Sequence, residues 1–241
     1  MNELHLFAGA GGGILGGQLL GHTTVCAVEI EEYPRLVLLQ RQRDGVLPKF
    51  PIWDDVCTFD GKPWRGAVDV ICGGFPCQDI SPQGKGIGIN GERSGLWKEY
   101  KRIIGEIKPQ YVFAENSSLL RKRGLDVVLG DLSELGYDAR WGVLGSGDIK
   151  APHQRKRMWV LASNSNGTQQ KRSRLSSGEQ EEYTKLNIPG KWTERRGITP
   201  QLHRKNDGLA CGLDRLKAIG NGQDPWVAAT AWRILMDDLY S

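Results

Sequence analysis

Residues 4–13 read LHLFAGAGGG, an apolar strand pattern that runs directly into a glycine-rich turn. An apolar helical pattern follows to about Leu20, and residues 23–28 have the composition of a second buried strand. Glycines let a backbone approach its ligand closely, and a helix N-terminus supplies unpaired amide donors. The stretch therefore predicts a ligand-binding turn at the start of an α/β domain.

The glycine spacing disfavours a dinucleotide as the ligand of this turn. Counted from Gly9, the last position of the GxGxxG fingerprint is Ile14, so the glycine next to the pyrophosphate is missing. Glu29, at the end of the second strand, is placed to accept hydrogen bonds from ribose hydroxyls. S-adenosylmethionine has a ribose and no phosphate, which suits this turn, although a purely structural glycine-rich turn has the same sequence signature.

Strand and helix patterns alternate over the first two-thirds of the chain and predict an open, mostly parallel sheet with helices on both faces. The predicted strands cover 4–7, 23–28, 68–72, 111–114, 137–143 and 157–162, and the predicted helices cover 33–43, 96–107, 125–135 and 226–239. Between the last strand and the last helix, residues 163–214 are polar and basic, which fits a solvated loop as well as a nucleic-acid surface. This segment is predicted to be an insertion.

Composition restricts the class of protein only loosely. The chain has 241 residues, a net charge of +4 and a pI near 8.8, which permits a nucleic-acid partner without establishing one. Five cysteines without a CxxC pair predict neither a disulfide framework nor a metal site. No apolar run has membrane-spanning length and no signal pattern opens the sequence, so we expect a cytoplasmic protein without a membrane partner.

A reactive cysteine is predicted after the strand at 68–72, where the sequence continues as GGFPCQ at 73–78. Pro76 fixes its own φ and restricts the residue before it, so the chain turns sharply and presents Cys77 at the carboxyl edge of the sheet. Ligands bind at that edge in open α/β folds. Inert burial is the usual alternative for a cysteine, and we predict it for Cys26 and Cys72.

Charged residues are predicted to meet Cys77 from neighbouring strand ends. The strand at 111–114 runs into Glu115, whose carboxyl group lies beside the Cys77 loop if the two strands are neighbours. Arg155 and Arg157 lie at the start of the strand predicted at 157–162 and alternate to the same side. Guanidinium groups that point into a pocket suit anions and carbonyl oxygens, although basic strand edges are often only solvated.

Five motifs in order resemble those of the cytosine-5 DNA methyltransferases, and several details resemble phage or prophage members. The motifs are FAGAGG at 7–12, GFPCQ at 74–78, Glu115-Asn116, Arg155-x-Arg157 and GNG at 220–222. The resemblance implies a Rossmann-like methyltransferase fold, with a catalytic and cofactor-binding domain at 1–162, a small target recognition region at 163–214 and a C-terminal segment at 215–241 that packs back on the first domain. It also implies a bacterial or phage-infected host cell.

The resemblance assigns a role to each catalytic candidate. Cys77, presented by Pro76, would attack carbon-6 of a flipped-out cytosine as a thiolate. Glu115 would hold and protonate the ring at nitrogen-3, Arg157 would bind the base carbonyl, and Arg155 would orient the Cys77 loop or bind a phosphate. Carbon-5 would then take the methyl group of S-adenosylmethionine.

The remaining implied contacts fall into a cofactor set and a DNA set. The cofactor set comprises Phe7, Ala8, Gly9, Gly11, Gly12, Glu29, Ile30, Asp55, Val56, Gly74, Pro76, Leu96, Asn221 and Gly222. The DNA set comprises Ser81, Gln83, Lys85, Arg93, Lys171, Arg172, Arg174, Lys191, Arg195 and Arg196. His5 stands where the family commonly has aspartate and Ile30 where an aromatic residue often stacks on adenine, which predicts a lowered cofactor affinity.

The substrate is expected to be duplex DNA, bound by a monomer. Because the insertion is short for a recognition domain, low specificity or an unknown specificity partner is an alternative. A tRNA cytosine methyltransferase and a catalytically weak DNA-binding relative are the competing functions. Intact Cys77, Glu115, Arg155 and Arg157 argue against the second of these.

Overall fold

The computed structural model of the protein describes residues 1–76, 96–164 and 222–240. The strands are β1 (Asn2–Leu6), β2 (Thr23–Val28), β3 (Ile52–Trp53), β4 (Val70–Gly74), β5 (Tyr111–Ser117), β6 (Tyr137–Gly145) and β7 (Lys156–Asn164). The α-helices are α1 (Gly12–Leu19), α2 (Glu32–Arg43), α3 (Trp97–Ile107), α4 (Leu125–Glu134) and α5 (Pro225–Tyr240). Within these ranges, no helix is both long and apolar enough to cross a membrane.

All seven described strands form one sheet in the order β3-β2-β1-β4-β5-β7-β6. The first five strands are parallel, whereas β7 runs antiparallel to both β5 and β6. The prediction of a mostly parallel sheet is therefore confirmed. The strand order reverses between β1 and β4, and the carboxyl ends on either side of such a switch form the ligand crevice of doubly wound folds.

The predicted boundary of β5 is wrong by three residues. The strand continues from Ala114 through Ser117 because Glu115, Asn116 and Ser117 pair with residues of β7 in the antiparallel ladder. Local propensity gives no sign of that pairing, since the partner strand lies far along the chain. Glu115 therefore lies within a strand, where its backbone is fixed on both sides.

Helices cover both faces of the sheet, as predicted. Strand residues such as Ile71 and Val112 pack with α3 and α4 in the larger core cluster. On the other face, Phe113 and Trp159 pack with α5, and α1 and α2 close the same face over β2. Strand β4 and the first four residues of β5 are thus buried on both sides, which explains their apolar sequence, whereas β1 buries Glu3 and His5 on one of its faces.

Helix α5 packs back on the domain after the segment 165–221, which lies outside the described residues. It approaches α1 closely enough that a Cβ atom at Gly16 would lie 3.0 Å from the Cβ of Ala228. Trp232 is 4% exposed and its ring contacts His22, Tyr111 and Phe113 at centroid distances of 5.3, 5.7 and 5.3 Å. The predicted packing of the last helix is seen directly, while the domain boundaries at 162 and 214 stay predictions.

We expect Trp232→Ala to lower the free energy of unfolding by about 3–5 kcal/mol, because the buried indole leaves a cavity against three aromatic rings. The measurement is urea unfolding of both proteins. Ile234→Ala is the matched control on the same helix, since Ile234 is 47% exposed. An equal loss in the two variants would contradict the packing of α5 through Trp232.

Candidate active site

A pocket opens at the carboxyl ends of β1, β4 and β5, on the edge where the sequence placed the site. Its lining combines the glycine-rich turn, the end of β4, the middle of β5 and the residues just before α5. These lining residues are His5, Leu6, Phe7, Ala8, Gly13, Gly73, Gly74, Glu115, Gly222 and Gln223.

The glycine-rich turn adopts conformations that its sequence makes accessible. Gly9 and Gly11 have φ angles of +54° and +90°, in the left-handed region that favours glycine. Phe7 has a φ of +54°, which is unusual for a residue with a side chain, and its ring stacks on Tyr100 at 6.3 Å. A Cβ atom at Gly12 would collide with the backbone carbonyl of Gln223. The turn is therefore shaped both for a ligand and for close contact with the C-terminal segment.

Glu29 fixes the far side of the turn. One carboxylate oxygen accepts the backbone N–H of Gly9 at 2.6 Å, and the other accepts the N–H of Glu31 at 2.8 Å. Burial raises the pKa of the Glu29 carboxyl above its ordinary value. The sequence suggested only a ribose contact, whereas the structure adds a second role, the anchoring of the turn. Each oxygen keeps lone-pair capacity for a hydroxyl donor.

The predicted adenine side of the cofactor site is more open than the turn. The side chain of Ile30 is 63% exposed beyond Glu29. Asp55 accepts the backbone N–H of Cys57 at 2.9 Å, and Val56 is buried in the core. Leu96 packs against the same core just before α3. Among these residues, Ile30 is the one that the structure leaves largely exposed.

The approach to the predicted nucleophile is held rigidly. Phe75 is 3% exposed, and its ring lies 5.1 Å from Trp97 and 6.5 Å from Tyr100. The amide side chain of Asn116 donates a hydrogen bond to the carbonyl of Phe75 at 3.1 Å. Pro76 follows directly and ends the first described range, so Cys77 lies outside the described residues.

Glu115 lies at the centre of the charged cluster. It pairs with Gly74 across the parallel strands β4 and β5, and a Cβ atom at Gly74 would lie 2.6 Å from its carboxylate. Nε of Arg157 donates to the carboxylate at 2.9 Å. Burial raises the pKa of Glu115 above its ordinary value, and Arg157 and Arg155 offset only part of that rise. A carboxyl group of this kind is suited to hold and donate a proton.

Arg155 and Gln223 join the C-terminal segment to this cluster. Arg155 donates to the carbonyl of Gly222 at 2.7 Å and lies close enough to stabilise the Glu115 carboxylate. Gln223 hydrogen-bonds the Glu115 side chain and also lies against the glycine-rich turn. The two arginines thus turn to the same side, as the alternation predicted.

The sequence did not identify His5 and Gln223 as site residues. His5 was noted only as a departure from the family pattern, and Gln223, which directly follows the GNG motif at 220–222, was given no role. The consecutive glycines Gly12 and Gly13 were the available signal for Gln223, because their missing side chains make room for it. Contact with a residue so distant in the chain becomes visible only in the fold.

Several predicted site residues lie outside the described residues and stay predictions. They are Cys77, Asn221 and the complete DNA set: Ser81, Gln83, Lys85, Arg93, Lys171, Arg172, Arg174, Lys191, Arg195 and Arg196.

Comparison with known proteins shows the family of the chain. The family described as C-5 cytosine-specific DNA methylase matches residues 1–207. Type II methyltransferase M.CviJI of Paramecium bursaria Chlorella virus IL3A is 36% identical over 160 residues, which are 66% of this chain and 42% of that protein. Type II methyltransferase M.Eco47II of Escherichia coli is 35% identical over 168 residues, 66% of this chain and 38% of that protein. The matched part spans less than half the length of either relative.

Solved structures share the fold. The Dnmt2 methyltransferase of S. pombe superposes with a TM-score of 0.55 at 20% identity, over 68% of this chain and 49% of that one. The Entamoeba histolytica methyltransferase EhMeth superposes with a TM-score of 0.57 at 18% identity, over 68% and 53% of the two chains.

Proposed function

Because this chain belongs to the C-5 cytosine-specific DNA methylase family, we propose that it transfers a methyl group from S-adenosylmethionine to carbon-5 of a cytosine in duplex DNA. The observation that carries the proposal is the position of Glu115. Its carboxyl group faces Gly74 across two adjacent parallel strands and contacts Arg157. Gly74 lies only three residues before Cys77 in the sequence.

The described residues fit the proposed cofactor. The turn at Phe7–Gly13 exposes backbone at the N-terminus of α1 and carries no basic side chain for a phosphate. Glu29 retains acceptor capacity for a ribose at the end of β2. When bound, S-adenosylmethionine would supply an electrophilic methyl group between this ribose site and the base site at Glu115.

The residues of the chain would perform the remaining steps. The Cys77 thiolate adds to carbon-6 while the Glu115 carboxyl gives its proton to nitrogen-3 of the ring, so that carbon-5 becomes nucleophilic. Arg157 binds the base carbonyl and holds Glu115 in place. After methylation, loss of the proton from carbon-5 to solvent expels the Cys77 thiolate, nitrogen-3 returns its proton to Glu115, and the ring becomes aromatic again. The target must leave the duplex stack for these contacts to form.

The test is methyl transfer from tritiated S-adenosylmethionine by the purified chain. We expect label in duplex DNA, and bisulfite sequencing of the same DNA should show 5-methylcytosine. Label in tRNA alone would overturn the DNA assignment. Cofactor binding without transfer to either nucleic acid would favour a catalytically weak relative. Action as a monomer stays a prediction and the need for an unknown specificity partner stays an alternative; light scattering of the active sample addresses both.

A further inference from the structure

A buried hydrogen-bonded chain of three side chains lies directly behind the pocket. Glu3 accepts from Nε2 of His5 at 2.9 Å and from Nδ1 of His22 at 2.7 Å. Glu3, His5 and His22 are 2%, 3% and 8% exposed. Cys72 donates its S–H to the same carboxylate at 3.6 Å. Burying so many polar groups is costly, and nothing in the proposed mechanism uses them.

The hydrogen-bonded side chains also occupy space that a glycine of α1 leaves open. A Cβ atom at Gly17 in α1 would collide with the Glu3 carboxylate. On the opposite side, the His22 ring packs edge-on against Trp232 of α5 at 5.3 Å. Glu3 is therefore enclosed by β1, β4, α1 and α5, and its carboxylate has a fixed position.

Glu3 determines which nitrogen of His5 carries a proton. Burial alone would raise the pKa of Glu3, but the hydrogen bonds from His22 and His5 outweigh it and lower the pKa to about 2. An ionised carboxylate can only accept, so His5 must donate through Nε2. In the neutral ring this leaves Nδ1 as an acceptor with a free lone pair.

Nδ1 of His5 lies at the pocket end of the ring. His5 lines the pocket together with Gln223, and a Cβ atom at Gly13 would lie 3.5 Å from this nitrogen and would collide with Oε1 of Gln223. Gly13 belongs to the first turn of α1, so His5 and the helix N-terminus face the same volume. The acceptor is therefore presented to a ligand that approaches the glycine-rich turn.

The sheet order places one part of the cofactor in this volume. The proposed ribose site is at Glu29 after β2, and the proposed base site is at Glu115 in β5. Strands β1 and β4 lie between them, so a cofactor that spans both sites would bring its sulfonium, and the amino-acid chain that branches from it, over His5 and Gly13. The N-terminus of α1 suits the carboxylate of the cofactor's amino-acid chain. The α-ammonium group of that chain then needs a hydrogen-bond acceptor nearby.

We propose that Nδ1 of His5, oriented by Glu3 and His22, accepts a hydrogen bond from the α-ammonium group of the cofactor's amino-acid end. This inference rests on the proposed function, because it takes S-adenosylmethionine as the ligand. It assigns a cofactor contact to a residue that departs from the family pattern.

Two isosteric variants distinguish the contribution of the pocket-facing nitrogen Nδ1 of His5 from that of Nε2, which bonds Glu3. His5→Gln places its amide near Nε2 and keeps a donor to Glu3 but loses the pocket acceptor. His5→Asn places its amide near Nδ1 and keeps that acceptor. Titration calorimetry with S-adenosylhomocysteine should show about 10-fold weaker binding for His5→Gln and a smaller loss for His5→Asn. Thermal unfolding of both variants controls for misfolding.

Three ligands identify the group that His5 contacts. The His5→Gln loss should persist with decarboxylated S-adenosylmethionine, which keeps the amine, and should vanish with 5′-methylthioadenosine, which lacks the whole amino-acid chain. Equal losses for all three ligands would indicate a structural role and overturn the inference. A loss that disappears with the decarboxylated ligand would assign the contact to the carboxylate instead, and also overturn it. Failure of the wild-type chain to bind any of them would instead remove the proposed function.

Discussion

Replacing Cys77 with alanine is expected to abolish methyl transfer, with a fall in rate on the order of 10⁶, because removal of a covalent nucleophile leaves only binding and electrostatic contributions. The described residues support this through the segment that precedes the cysteine. The ring of Phe75 packs against those of Trp97 and Tyr100, and its carbonyl accepts a hydrogen bond from Asn116. These contacts hold the backbone that leads to Pro76.

The matched control is Cys57→Ala. Cys57 is an exposed free cysteine that does not line the pocket, so its loss should leave the rate within about twofold. Tritium transfer to duplex DNA measures both variants. Activity retained by Cys77→Ala would refute the covalent route.

A mechanism-specific readout uses DNA that contains 5-fluorocytosine. Fluorine replaces the proton that must leave carbon-5, so the adduct between the protein and the methylated base cannot resolve. We expect a cofactor-dependent, denaturation-resistant complex for the wild-type and Cys57→Ala proteins and none for Cys77→Ala. An active enzyme that forms no adduct would contradict addition at carbon-6.

Glu115→Gln should lower the rate of methyl transfer by about 10²–10⁴, the usual range for loss of a general acid. Glutamine keeps the shape and a hydrogen bond but has no proton to give to the ring. Binding of S-adenosylhomocysteine should be unchanged, since Glu115 lies on the base side of the pocket. Single-turnover kinetics and calorimetry test the two halves of this prediction.

The pH dependence of the wild-type rate provides an independent check. Burial raises the pKa of Glu115, so its protonated form persists to higher pH than that of an exposed glutamate. The acid is present below this pKa, and its contribution is lost as the pH rises through it. Glu115→Gln should therefore lack the descending alkaline limb that the wild type shows.

Glu134→Gln is the control for a change of charge alone. The Glu134 side chain is 71% exposed and pairs with Lys101 at the surface. An exposed pair of this kind contributes about 0–1 kcal/mol to stability, so activity and its pH profile should not change. A similar loss in both variants would show that net charge, not the position of Glu115, controls the rate.

Much of the fold could be predicted from local pattern. The alternation of strands and helices gave the α/β class, and the apolar helix near the C-terminus was expected to pack back. The antiparallel placement of β7 between β5 and β6 could not be predicted, because pairing between distant strands depends on the whole sheet. The error at the end of β5 has the same origin.

The candidate site was likewise predicted only in part from the sequence. The glycine-rich turn, Glu29, Glu115 and the two arginines were predicted because each belongs to a short motif with its own chemistry. The structure brings Glu115, Arg155 and Arg157 together, while the role of each stays a prediction that the variants above address. Gln223 was missed as a contact of Glu115 because no local feature signals it.

The sequence alone determined the order of elements and the glycine-rich turn from which α1 begins, since backbone conformation follows from nearby glycines and prolines. The sharp turn before Cys77 stays a prediction. Only the tertiary structure decided which distant side chains meet. Sheet order places Glu115 beside Gly74, and the packing of α1 and α5 encloses the Glu3 carboxylate with His5 and His22. Those contacts join residues far apart in the chain, and their energies depend on burial that exists only after the layers have packed.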